Sequence, residues 1–112
     1  MYKIEAIVRP DKLEEIKEAL NNYKISGLTV TPVMGCGHQK GHKEYYRGAE
    51  IIINLLPKIK LEIVIKDEEL EKVLAIISEN ARTGEIGDGK IFIFTVQDAL
   101  RIRTGERGDA AI

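Results

Sequence analysis

KIEAIVR (Lys3–Arg9) and KLEIVIK (Lys60–Lys66) follow nearly the same pattern, and this repetition decides the fold of the 112-residue chain. In both stretches apolar and charged residues alternate, as they do in a strand with one buried face. Aligning the two places Glu5 on Glu62, and the match continues without a gap into the apolar helical stripe that follows each strand. The sequence therefore consists of two equivalent halves.

Each half reads as strand, helix, strand. Pro10 and Asp67 open the two helices: proline suits a first helical turn, and aspartate is a good N-cap. Pro32 interrupts the second strand, which is typical of an edge strand. The predicted strands are residues 2–9, 28–34, 58–66 and 90–96, and the predicted helical stripes are Leu13, Ile16, Leu20 and Tyr23, then Leu70, Val73, Leu74, Ile77 and Ala81. This order predicts an α+β, ferredoxin-like βαββαβ sandwich.

One face of the predicted sheet has no partner within the chain. Both helices cover the same face, yet Ile7 and Val64 point to the other. The last strand is apolar on both faces over Ile91–Phe94. We expect other copies of the chain to cover this surface.

Composition indicates a single cytoplasmic domain, residues 1–112. Apolar content is 44%, charged content 31% and net charge −1, with a pI near 6.1, which disfavours nucleic acid as a partner. No apolar run approaches the roughly 20 residues that span a bilayer, and the chain enters a strand without a signal peptide. A lone cysteine fits a reducing compartment.

Residues 35–57, GCGHQKGHKEYYRGAEIIINLLP, separate the two halves. We predict a long loop here, and loops of this length tend to be functional or disordered. His38 and His42 lie near Cys36 and Glu44, but without the spacing of a zinc motif they read better as solvated side chains than as metal ligands.

Three features favour anion binding. Glycines in the run Gly87–Lys90 free backbone amides beside a lysine. Arg101 and Arg103 would point the same way from an extended segment and grip one polyphosphate. Gly35 and Gly37 allow a close backbone approach. Singly, turn chemistry and a solvated tail explain them better; together they favour a phosphate site, although the run is not a Walker A loop.

Other functions have weaker signals. Phe92 and Phe94 share a strand face, as in RNA-binding sheets, but core or interface packing suits an acidic chain better. No Ser–His–Asp or paired-carboxylate arrangement is evident, so we expect no enzyme. A slow ATPase and another ferredoxin-like binding module remain the alternatives.

GCGHQKGHKEYYRGAE, TGEIGDGKIF and RIRTGERG closely resemble motifs of the PII signal-transduction proteins of nitrogen metabolism (the GlnB/GlnK family), and the resemblance covers essentially the whole chain. It implies a homotrimer with ATP or ADP between subunits, Mg²⁺ with ATP, and 2-oxoglutarate as effector. Residues 35–57 would be the T-loop that docks onto partners, residues 83–90 the phosphate loop and residues 98–112 a basic C-terminal segment.

The family's site residues carry over to matching positions. Nucleotide would contact Thr29, Gly35, Cys36, Gly37, His38, Gln39, Glu62, Ile63, Val64, Gly87, Asp88, Gly89, Lys90, Arg101 and Arg103. Gln39 would join Mg²⁺ coordination, and 2-oxoglutarate would meet Gln39, Gly41, Lys58 and Gly87. Partner contacts would fall on Tyr45, Tyr46, Arg47 and Gly48.

Three positions depart from the family pattern. His38 replaces a frequent arginine, which would make a phosphate contact weaker or pH-dependent. Ile51 and Ala49 replace the tyrosine and the serine that members modify, so neither modification is possible there.

The resemblance implies a partner in nitrogen assimilation. An ammonium transporter, which would recruit the chain to the inner face of the membrane, ranks first because a pore accepts a thin loop tipped by Arg47; glutamine synthetase, nitrogenase and a transcription regulator are alternatives.

Overall fold

The computed structural model of the chain describes residues 1–25, 27–36, 42–46, 49–53 and 55–112, with only the backbone course of 42–46 and 49–53. Eight strands and α-helices follow one another along it. They are β1 (Tyr2–Val8), α1 (Leu13–Asn22), β2 (Leu28–Gly35), β3 (His42–Tyr46), β4 (Ala49–Ile53), β5 (Leu56–Ile65), α2 (Leu70–Ala81) and β6 (Gly89–Thr95).

The main sheet has the order β2-β5-β1-β6, and every neighbouring pair is antiparallel. The two repeated strands, β1 and β5, lie at the centre with Glu5 directly opposite Glu62. A pseudo-twofold axis therefore passes between these two glutamates and relates the halves. The ferredoxin-like fold is confirmed, and so is the edge position of β2, which contains Pro32.

Each helix begins with a 3₁₀ turn at the corresponding place in its half, Pro10–Lys12 and Asp67–Glu69. The prediction that Asp67 caps its helix is wrong. Lys66 occupies the N-cap position of the 3₁₀ turn and Glu69 that of α2. The Asp67 carboxylate instead accepts a hydrogen bond of 2.5 Å from the amino group of Met1. That ion pair raises the pKa of the Met1 amine.

The core lies between the helices and one face of the sheet. Ile4, Ala6 and Val8 of β1 are at most 2% exposed, as expected from the alternation. The rest of the core consists of Ile16, Leu20, Leu61, Ile63, Ile65, Val73, Ile77 and Ala81. Tyr23, expected in the helical stripe, is 38% exposed, because α1 ends at Asn22 and the chain turns at Lys24, whose φ is +68°.

The opposite sheet face and the β6 edge are open. Phe92, Ile93 and Phe94 are each nearly half exposed, while Ile7 and Val64 are half-buried. These partly exposed apolar side chains form the surface that we expect other copies of the chain to cover.

Residues 35–57 contain more regular structure than predicted. β2 and β5 pair as far as Gly35 opposite Leu56, and β3 pairs with β4 as an antiparallel hairpin, with His42 opposite Ile53. Residues 42–46 and 49–53 of this long connection therefore pair with each other as a separate two-stranded sheet. Within the described part of the chain, no helix has the length and hydropathy needed to cross a membrane.

Candidate functional site

The turn between α2 and β6 is organised by the carboxylate of Asp88. It accepts hydrogen bonds from the backbone amides of Thr83 and Gly84, both at 2.8 Å, and from the Thr83 hydroxyl. Arg9 adds a fourth bond of 3.2 Å through Nε. These donors hold the pKa of Asp88 far below its ordinary value, and the Thr83 hydroxyl has the largest effect. The side chain of Asp88 thus serves the turn, and the run Gly87–Lys90 can offer a ligand backbone amides and the exposed Lys90.

Two cations hold successive carbonyl groups of this turn. The Nη2 of Arg9 donates to the carbonyl of Ile86 at 2.9 Å, and the Nζ of Lys58 donates to the carbonyl of Gly87 at 2.7 Å. Burial, and then the charge of Arg9, lower the pKa of Lys58. Sequence reasoning missed Arg9. The only indication in the sequence was its positive charge at the end of the first strand, which runs toward the glycine turn.

Glycine is required at the end of this turn. Gly87 and Gly89 both have φ of +103°, a conformation that L side chains rarely adopt. At Gly89 a Cβ atom would lie 1.7 Å from the backbone oxygen of Ile7. Gly35, at the end of β2, is less constrained, since a Cβ there would lie 3.4 Å from Cγ of Lys58.

A cavity of about 750 Å³ lies at the other end of the sheet. Five of the expected nucleotide-binding residues line it, namely Thr29, Glu62, Ile63, Val64 and Arg101. Lys3 also lines it and forms an ion pair of 3.0 Å with Glu62. Lys3 is the main cause of the lowered pKa of Glu62. The cavity therefore combines apolar walls with fixed polar groups, as small-molecule sites do.

The C-terminal segment folds back on itself, which corrects the expectation of an extended chain at Arg101 and Arg103. The backbone amide of Arg101 donates to the carbonyl of Glu106 at 2.9 Å, and that of Gly105 donates to the carbonyl of Arg101 at 2.8 Å. Residues 102–104 form the turn between them. The side chain of Arg101 pairs with Glu106 at 3.4 Å, whereas Arg103 is exposed and does not line the cavity.

The glycine turn and the C-terminal segment lie at opposite ends of β6, because one precedes Gly89 and the other follows Thr95. A strand of that length separates them by roughly 20 Å. Lys58 and Glu62 are likewise separated by about 13 Å along β5. The expected nucleotide-binding residues therefore form two groups that do not meet within one chain, one at the glycine turn and one at the cavity, which Arg101 also lines.

Several expected site residues lie outside the described residues: Gly37, His38, Gln39, Gly41, Arg47 and Gly48. Tyr45 and Tyr46 belong to β3, whose side chains are likewise not described, and Cys36 is exposed. Within the described ranges, no cluster of His, Cys, Asp and Glu could hold a metal ion.

Comparison with known proteins identifies the family. A family model described as nitrogen regulatory protein P-II matches residues 1–106. The chain is 54% identical to the nitrogen regulatory protein P-II of Rhodospirillum rubrum, 53% to that of Pasteurella multocida and 54% to nitrogen regulatory protein P-II 1 of Escherichia coli K12. Each of these similarities extends over 112 residues and covers 100% of both chains. The chain belongs to the nitrogen regulatory protein P-II family.

Proposed function

We propose that this P-II protein senses adenine nucleotide at a site shared between subunits, and reports the result through residues 35–57. One observation carries the proposal: groups suited to phosphate and groups suited to a base and ribose lie at opposite ends of the same sheet. A nucleotide that uses both needs the glycine turn of one chain and the cavity of the next.

A closed ring of chains supplies that arrangement. Contacts between two different surface patches close into a ring when the rotation between copies fits, and three copies form a trimer. The open sheet face with Phe92 and Phe94, each nearly half exposed, is the apolar surface that such contacts would bury. We therefore propose a homotrimer with three nucleotide sites.

The two groups provide suitable chemistry for ATP or ADP. Backbone amides at Gly87 and Gly89 and the ammonium of Lys90 would hold phosphate oxygens, and Arg101 and Arg103 of a neighbouring chain would complete the grip. Thr29 and the run Glu62–Val64 would hold the base and ribose. Gly35, Cys36, Gly37 and His38 would pass along the nucleotide, and Gln39 would join Mg²⁺ coordination.

Lys58 is the proposed sensor for 2-oxoglutarate. It lies beside Gly87 and its pKa is lowered by burial and by Arg9. A ligand carboxylate would offset both costs of keeping this ammonium charged. Gln39 and Gly41 would complete the effector pocket.

The output is a shift in conformational population, not catalysis. Nucleotide and effector favour one arrangement of residues 35–57 over another, and partners bind one arrangement better. Ile51 and Ala49 carry no hydroxyl group, so small ligands alone would set this equilibrium. We propose an ammonium transporter as the partner that receives Arg47, with glutamine synthetase, nitrogenase or a transcription regulator as the alternatives.

Isothermal titration calorimetry with ATP and with ADP tests the binding step. We expect both to bind the wild type, and Lys90→Ala to weaken binding about tenfold or more, since a charged hydrogen bond to phosphate is lost. Lys17→Ala is the matched control, because Lys17 is an exposed helical lysine paired with Glu14. Absence of binding to the wild type would contradict the proposal.

Affinity capture from native lysate tests the partner. The immobilised chain is incubated with ATP, with ADP, and with ATP plus 2-oxoglutarate, followed by mass spectrometry of the bound proteins. We expect a nitrogen-assimilation protein whose recovery depends on the ligand. Identical recovery under all three conditions would contradict a ligand-set switch.

A further inference from the structure

The peptide group between Ile86 and Gly87 is held by a single guanidinium. Arg9 donates to the carbonyl of Ile86 through Nη2 at 2.9 Å and to the carboxylate of Asp88 through Nε at 3.2 Å. The side chains of Arg9 and Asp88 are only 23% and 24% exposed. Arginine can bridge the two acceptors because its donors form a rigid planar fork, which a lysine lacks.

The carbonyl and the amide of one trans peptide point in opposite directions, and the described peptide bonds include no cis bond. Fixing the carbonyl of Ile86 toward Arg9 therefore turns the amide of Gly87 away from Arg9. Turns of different type differ by a flip of this kind at their central peptide, and glycine tolerates both forms. Gly87, at φ of +103°, is in the form that only glycine adopts easily.

The neighbours of this peptide are fixed independently. Lys58 holds the next carbonyl, that of Gly87, at 2.7 Å. Thr83 and Gly84 hold the carboxylate of Asp88 at the other side of the turn. The orientation of the peptide between them is what the bond from Arg9 selects.

We propose that Arg9 is a positioning residue that presents the amide of Gly87 to the phosphates of the bound nucleotide. Arg9 acts through the carbonyl of Ile86 and does not touch the ligand. This inference rests on the proposed nucleotide site and adds to it Arg9, which directly follows the last residue of β1. It also assigns a purpose to the Arg9–Asp88 ion pair beyond stability.

The test compares Arg9→Gln and Arg9→Lys with the wild type in two measurements on the full chain. Calorimetry gives the affinity for ATP, and the ¹H–¹⁵N resonance of Gly87 reports the orientation of its amide. We expect Arg9→Gln to shift that resonance and to weaken ATP binding about tenfold, the effect of one hydrogen bond to a charged group. Arg9→Lys is expected to recover only part of the affinity, since it restores the charge without the fork.

Two control variants separate positioning from stability. Ile16→Val shortens a fully buried core side chain of α1 that lies outside the proposed site, and Lys12→Gln removes a nearby cation that is paired with Glu15 at 3.8 Å. We expect Ile16→Val to lower the melting temperature with little effect on ATP affinity, and Lys12→Gln to change neither.

Three outcomes would overturn the inference while leaving the nucleotide site intact. The first is wild-type affinity for ATP in Arg9→Gln, and the second is full recovery of that affinity in Arg9→Lys. The third is that Ile16→Val weakens ATP binding as much as Arg9→Gln does when the two variants lose the same melting temperature. If the wild type itself does not bind ATP, the proposed function fails, and the inference fails with it.

Discussion

Gly89 begins the last strand at a place where the backbones of two strands leave no space for a side chain. Gly89 is subject to two separate constraints. Its φ is +103°, and a Cβ atom at this position would lie 1.7 Å from the backbone oxygen of Ile7. The first would strain any other residue, and the second would force β1 and β6 apart at their paired ends. The glycines of this turn are thus needed for folding, apart from any part in the proposed nucleotide site.

Gly89→Ala is expected to lower the free energy of unfolding by at least about 3 kcal/mol, because it combines backbone strain with a clash against main-chain atoms. Urea denaturation measures the loss. Gly27→Ala is the control, since a Cβ at Gly27 meets no atom within 4 Å. Equal stability of the two variants would contradict the constraint at Gly89.

Asp88 gives the turn a dependence on pH. The folded-state pKa of Asp88 is depressed below its ordinary value of 3.8, so the stability that its carboxylate contributes is present above about pH 4 and is lost as the pH falls below it. We expect Asp88→Asn to be less stable than the wild type at pH 7, and the difference to shrink at pH 3. Urea midpoints at both pH values measure this, and Asp11→Asn, at an exposed position, serves as control. A difference that stays constant with pH would contradict the assignment.

Among the elements, those with a buried face could be predicted from the sequence. Alternation located β1 and β5, and the helical stripes located α1 and α2, because each pattern reports a face that packs on the core. The hairpin of β3 and β4 gave no such signal. His42–Tyr46 begins with polar and charged residues and ends with two tyrosines, and Ala49–Ile53 is mostly apolar, so neither strand alternates.

The candidate site was predictable where it depends on local sequence and not where it depends on distant contacts. The glycine turn was expected from its own residues. The fold of the C-terminal segment was not. It depends on the hydrogen bond from Arg107 to Asp98, which lie nine positions apart, and the residues between them follow no periodic pattern. Arg9 was missed for the same reason, because its partner Asp88 is brought to it by the β1–β6 pairing.

Asp98 makes several of the hydrogen bonds that hold the folded C-terminal segment, which contains Arg101. Its carboxylate accepts bonds from the backbone amides of Ala99 and Gly108, at 2.8 and 3.1 Å, and from Arg107. These donors, Arg107 first, lower the pKa of Asp98. We expect Asp98→Ala to accelerate hydrogen exchange at Gly105 and Gly108 and to weaken ATP binding several-fold, with exchange in β1 unchanged. Asp109→Ala is the control, and unchanged exchange at both glycines would contradict this role.

At the scale of the whole molecule, the proposed homotrimer can be tested by its mass. We expect native mass spectrometry and light scattering to give about three times the 12.6 kDa of one chain. Replacing Phe92 and Phe94 together by glutamate should yield smaller species, because charged groups would enter a buried apolar contact.

Tyr23→Glu is the matched control, since Tyr23 is an aromatic residue of similar partial exposure on the helical side. This variant should keep the mass of the wild type. A wild type that is monomeric at micromolar concentration, or a double variant of unchanged mass, would contradict the proposed trimer.

The pseudo-twofold relation between the halves holds for the strands and helices of the core but not for the segments that we propose to bind ligands. Strands β1 and β5, their 3₁₀ turns and their helices correspond in order and place, with the axis between Glu5 and Glu62. The correspondence breaks at two places: the connection after α2 is longer than that after α1, and residues 36–55 have no counterpart. Both breaks hold the proposed ligand-responsive segments, and the bond from Lys58 to the carbonyl of Gly87 links their bases. This bond joins the glycine turn to the start of β5 next to residues 36–55 without involving the buried core that the two halves share.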